Sequence, residues 1–170
     1  MNPKYAPLFQ PFTLNNGVTV KNRLAVAPMT HFGSLADGLI SDQERTFLGN
    51  RAGDMGLFIS AATLVQEGGK AFRGQPEATG ENCLDSLKET AQIIQKQGAK
   101  AILQIHHGGS QAMVELNHRD KISASASEKD GAREASAAEV EELIASFAQA
   151  ADLALRAGFD GVEIHGANGY

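Results

Sequence analysis

Short apolar runs alternate with amphipathic stretches along most of the chain. Residues 24–27, 57–59, 101–105 and 161–164 are apolar at most successive positions instead of at alternating ones, which is the pattern of parallel strands covered on both faces. Each run leads into a loop, and helical spacing separates one run from the next. Ser41 with Glu44 three residues on is a capping-box signature and predicts a helix to about Ala52, stopped by Gly53. A second helix is predicted from about Asn82, with Leu84, Leu87, Ala91 and Ile94 on one face and Gly98 at its end. The third opens on Ser136 with Glu139 as box partner, carries Val140, Leu143, Ile144, Phe147, Ala151 and Ala154 at helical spacing, and stops at Gly158. Four strands and three helices in strict alternation predict an α/β protein built around a parallel sheet.

Two segments stand outside this series. Residues 12–14 and 18–20 flank Asn15-Asn16-Gly17, which reads as a small hairpin because Asn and Gly tolerate positive φ; such a hairpin would cap the bottom of a barrel. Residues 110–135 are polar, rich in Ala, Ser and charge, and lack periodicity apart from the short piece 121–123. A long loop on the functional rim is expected there. There is no internal repeat and no linker, so residues 1–170 read as one unit.

Composition narrows the function. The chain has 170 residues, 42% hydrophobic and 21% charged, which is ordinary for a globular domain. A net charge of -5 offers no basic stripe for phosphates, so nucleic acid is not an expected partner. A single cysteine, Cys83, cannot pair within the chain, and it reads as a small packed or surface thiol. Neither a signal segment nor a membrane span is legible, and a cytoplasmic location is the expectation.

The candidate chemistry gathers where the strands end, as it does in α/β barrels. Ala27-Pro28-Met29-Thr30 follows the first strand, and its proline removes one amide donor and sets φ. Gln104 lies in an otherwise apolar strand, where an unpartnered amide would cost about 1–3 kcal/mol, so either a structural partner or a ligand must satisfy it. His106 and His107 are adjacent on a strand and point to opposite faces, which argues against a shared metal ion. One imidazole is expected at the barrel mouth and the other packed outward. Glu139, Glu141 and Glu142 read as a solvated helix face. His165 and Asn168 on the terminal Gly-rich turn can converge on one oxygen and hold charge that develops there. Tyr170 follows two residues later, and a phenol stays protonated at neutral pH and can deliver its proton next to that oxygen. Spacing alone leaves this open against an ordinary strand-end turn.

Taken together, Lys21-Asn22-Arg23, residues 27–30, residues 60–65, residues 103–109 and the block 157–170 resemble the Old Yellow Enzyme family of FMN-dependent NAD(P)H oxidoreductases. The likeness spans nearly the whole chain, and the terminal block is its most specific part. It implies the N-terminal half of a TIM (β/α)8 barrel, strands 1 to 4 with helices 1 to 3, in a fold of roughly 250 residues or more. It further implies that Ala27, Pro28, Met29 and Thr30 contact the flavin edge, that Ala62 packs nearby and that Gln104 bonds the pyrimidine portion. His165 and Asn168 would bind the substrate's electron-withdrawing oxygen, with Phe32 at the substrate side, and Tyr170 would be the proton donor. The implied reaction reduces an activated alkene with NADH or NADPH through FMN.

Some positions depart from the family pattern. Phe32 stands near a tyrosine of one branch, Ser110 where many members have arginine, Ala61 where glutamate is common, and Thr30 in place of cysteine. The loops that hold phosphate in such barrels follow the seventh and eighth strands, and the sequence contains neither. The 170-residue chain alone is therefore expected to bind flavin weakly and turn over little, as a piece of a longer protein. Its open sheet edges invite a homo-oligomer. Two other readings stand beside this one. A flavin-free barrel lyase or isomerase would use His165 and Tyr170, although no lysine at the strand ends suits Schiff-base chemistry. A non-catalytic half-barrel would assemble with itself or another chain.

Overall fold

The computed structural model describes residues 2–170. A 3-10 turn at Pro3–Phe9 precedes β1 (Phe12–Thr13) and β2 (Thr19–Val20), which pair antiparallel as the expected hairpin, with Gly17 in its turn at φ 86. Then come β3 (Ala25–Val26), α1 (Asp42–Gly49), β4 (Leu57–Ile59), β5 (Thr63–Leu64), α2 (Leu84–Gln95) and β6 (Lys100–His106). The remainder is α3 (Val114–Asn117), β7 (Lys121–Ser123), β8 (Ala132–Glu134), α4 (Ala137–Ala157) and β9 (Gly161–Ile164).

The sheet is parallel throughout, with β6 at its centre. One edge of β6 takes β4 at its start and β5 at its end, the other takes β9, and β3 lies outside β4. Side chains on β6 alternate between two different environments. Ala101, Leu103 and Ile105 join Phe58 in the apolar core against Leu48 of α1, Ala91 and Ile94 of α2, and Ala150, Leu153 and Ala154 of α4. Ile102, Gln104 and His106 take the opposite face. All three long helices thus pack on one face of the sheet, which is the layering of a barrel wall and not of a doubly wound sheet.

Several local expectations are corrected. α1 ends at Gly49, earlier than Ala52, because Asn50 closes it with its side chain on the Thr46 carbonyl at 2.8 Å. Ser41 caps that helix as expected, but Glu44 does not return to it; its carboxylate accepts from Ser34 Oγ at 2.8 Å and lies 3.1 Å from His31 Nε2. α4 carries the full capping box from Ser136 and Glu139, and Gly158 ends it at φ 88. The 110–135 segment is not structureless, since it holds α3 and the parallel pair β7–β8. β5, also absent from the sequence reading, continues β4 beyond a bulge. From Ile59 opposite Ile102 to Thr63 opposite Ile105 the β4–β5 side advances four residues while β6 advances three. Ser60 occupies the gap, and its Oγ accepts the Gln104 N–H at 3.0 Å.

Candidate active site

The register of β6 on β9 assembles the site. Gln104 lies opposite Glu163 and Ile102 opposite Gly161, so the next inward pair is His106 and His165. Their ring centroids are 5.0 Å apart, and Tyr170 comes back over both, 4.8 Å from His106 and 5.3 Å from His165, in edge-to-face geometry. A cavity of about 710 Å³ opens at these strand ends. Pro28 and Thr30 line it after β3, Ala62 at the bulge, Gln104 and His106 on β6, and His165, Asn168 and Tyr170 after β9. Asn168 and Gly169 take positive φ, 59 and 81, which turns the terminal loop back toward the cavity.

Other expected residues stand apart from it. Ala27 is exposed and does not line the cavity. Met29 is 54% exposed and faces a separate groove with Val26 and Arg51. Phe32 is 66% exposed and sets its ring edge-on to Phe72, which does line the cavity. The Phe32 backbone is held at φ 51, and the neighbouring Gly74, at φ 64, has room only for hydrogen, since a Cβ there would lie 2.5 Å from the Phe32 carbonyl oxygen. Sequence reasoning missed Phe72, Gln75 and Glu163. Glu163 carried the signal that singled out Gln104, a polar residue inside an apolar strand.

Polar groups in the site are partnered in specific directions. The Gln104 amide, 4% exposed, donates to Glu163 Oε1 at 2.7 Å, which leaves its carbonyl oxygen as an acceptor toward the cavity it lines. His165 Nδ1 accepts the Ala167 N–H at 3.3 Å. Burial pushes the His106 pKa down to about 4, with the nearby His165 and His107 adding to the effect, so this imidazole is neutral at physiological pH. His107 points to the other side, against Gly69, and burial lowers its pKa also. Its Nδ1 accepts the Gly109 N–H at 3.1 Å. One imidazole at the mouth and one packed away matches the reading from strand alternation. Cys83 is fully buried, as a packed thiol. Among the described residues there is no group of three or more His, Cys, Asp or Glu that could hold a metal ion, and no helix is long and apolar enough to cross a membrane.

These elements have known counterparts. Residues 7–170 match the NADH:flavin oxidoreductase / NADH oxidase family. The chain is 48% identical over its whole length to the probable NADH-dependent flavin oxidoreductase YqiG of Bacillus subtilis (strain 168), covering 47% of that protein. It is 41% identical, over 96% of its length, to 18% of the NADH:fumarate oxidoreductase of Klebsiella pneumoniae (strain 342). The solved structure of the old yellow enzyme homologue from Zymomonas mobilis superposes with a TM-score of 0.88 at 29% identity, over 96% of this chain and 49% of that one. The chain thus spans about half the length of the Bacillus relative and of the Zymomonas structure, and its fold is the N-terminal half of their barrel.

Proposed function

We propose, from the premise that this chain belongs to the NADH:flavin oxidoreductase / NADH oxidase family, that it carries the substrate half of an FMN-dependent ene-reductase site. The carrying observation is the convergence of Gln104, His165, Asn168 and Tyr170 on one cavity at the carboxyl ends of parallel strands. The donor set suits the flavin ring. The Gln104 side chain offers an acceptor for an imide N–H, the bulge at Ser60–Ala62 brings backbone close to the cavity, and Pro28 and Thr30 close its first edge. When bound, FMN supplies the redox step, accepting a hydride from NADH or NADPH and passing a hydride to the β-carbon of an activated alkene.

This chain's own residues do the rest. His165 and Asn168 donate to the substrate's electron-withdrawing oxygen and stabilise the negative charge that grows there as the β-carbon is reduced. Tyr170 gives its phenolic proton to the α-carbon and recovers a proton from solvent. The net change is one C=C bond and one H⁺ consumed, with NAD(P)H oxidised to NAD(P)⁺. Phe72, edge-on to Phe32, walls the side of the cavity facing the substrate. The 170-residue stretch by itself is expected to hold flavin weakly, because barrels of this class bind phosphate with loops after strands seven and eight.

The test is Tyr170→Phe in the intact protein with 2-cyclohexenone as substrate. The rate of alkene reduction is expected to fall about 10²- to 10⁴-fold, far more than the rate at which NADH bleaches the flavin. An equal effect on both half-reactions would remove Tyr170 from the proton-donor role.

A further inference from the structure

Gln75 is fully enclosed, and two backbone partners leave its amide one orientation. The Ala71 N–H donates to Oε1 at 2.9 Å, and Nε2 donates to the Ala62 carbonyl at 3.3 Å. The remaining contact of Nε2, 3.1 Å from His106 Nδ1, is therefore also a donation. A ring nitrogen that accepts carries no proton, so the His106 proton sits on Nε2. His165 reaches the same tautomer by another route, because its Nδ1 accepts from Ala167. Two imidazoles whose centroids are 5.0 Å apart thus line one cavity, each with its single proton on Nε2. His106 is 1% exposed, and no acceptor among the described residues reaches its Nε2. The ring lines the cavity, so this N–H is open to a ligand oxygen there.

We propose that the Gln75–His106 pair is a specificity device, presenting a third donor beside His165 and Asn168 so that the site favours substrates whose activating group carries two oxygens. Nitroalkenes and α,β-unsaturated esters or carboxylates belong to this class; simple enones, with one oxygen, leave a donor idle. The inference rests on the ene-reductase reading for its substrates, but the donor itself does not. Gln75 acts only through His106 and is a positioning residue. Its second bond, to Ala62, ties the tautomer of His106 to the bulge that shapes the cavity wall.

The experiment uses the intact flavoprotein, with His106→Phe keeping the ring volume and Gln75→Met removing the amide that holds the tautomer. Binding of nitrocyclohexane and cyclohexanone, neither of which has a C=C bond to reduce, is measured by calorimetry. The nitro-to-ketone affinity ratio is expected to fall about tenfold in each variant, and the kcat/KM ratio for 1-nitrocyclohexene over 2-cyclohexenone should follow it. Nitrogen NMR of the unsubstituted protein is expected to show His106 protonated at Nε2. An unchanged binding ratio in His106→Phe, or a proton on Nδ1, would overturn the proposal. If neither alkene is reduced, the ene-reductase reading fails, while the binding ratio and the NMR tautomer still decide the donor. The tautomer measurement needs no substitution, so a variant that fails to fold does not block the decision.

Discussion

His106 is enclosed by two aromatic rings and a glutamine amide, and that surrounding has a measurable consequence for stability. Its folded pKa is lowered from 6.5 to about 4, chiefly by burial. As pH falls below about 6.5 the unfolded chain takes up a proton that the native state refuses until about pH 4, so stability present above pH 6.5 is lost progressively on the way down. Denaturant titrations at pH 7 and pH 5 are expected to show the unsubstituted protein losing about 2 kcal/mol more than His106→Phe over that interval. Equal losses would mean that the imidazole titrates normally. That one histidine of the pair faces inward was legible from strand alternation. Its partner was not, because Gln75 sits in a loop, where a polar residue carries no signal of burial.

The β6–β9 pairing that brings the two imidazoles together is anchored at its start by Asp160. Its carboxylate accepts from the Ala101 N–H at 2.9 Å, from Gln95 Nε2 at 3.0 Å and from Lys100 Nζ at 2.8 Å. Burial opposes the ionised form, but these donors outweigh it and leave the pKa below the usual aspartate value. Asp160→Asn keeps the shape and loses the charge. A loss of about 1–3 kcal/mol near neutral pH is expected in denaturant melts. The gap to the unsubstituted protein should close as pH falls through the native carboxyl pKa, because protonation removes the same charge. A gap independent of pH would locate the effect in packing. The four longer strand runs and three helices were legible from periodicity and caps. β5 and β8 were not, because nothing local marks them, while β7 coincides with the piece 121–123 that stood out from its polar surroundings.

Across the whole molecule, the face left open is apolar. Val162 is 38% and Ile164 68% exposed on β9, which has no strand on its far side among the described residues, and Ile144 and Leu155 of α4 are 58% and 73% exposed. Unpaired strand edges beside apolar side chains recruit other chains. Expressed by itself, this 170-residue stretch is expected to self-associate in light scattering and to retain little FMN on dialysis. A monodisperse, stoichiometrically yellow monomer would contradict both expectations.

Order and identity of the main elements, the polar residue inside the third long strand, and the donor-rich turn after the fourth were determined by sequence alone, because periodicity and caps are local properties of the chain. Which of those groups meet was decided by tertiary structure. A strand's alternation tells which side chains share a face but not which residue lies opposite, and here the pairing of Gln104 with Glu163 carries His106 to His165. The layering of three helices on one side of the sheet, and the closing of Gln75 onto His106 across 31 residues of chain, likewise depend on contacts that no local pattern encodes.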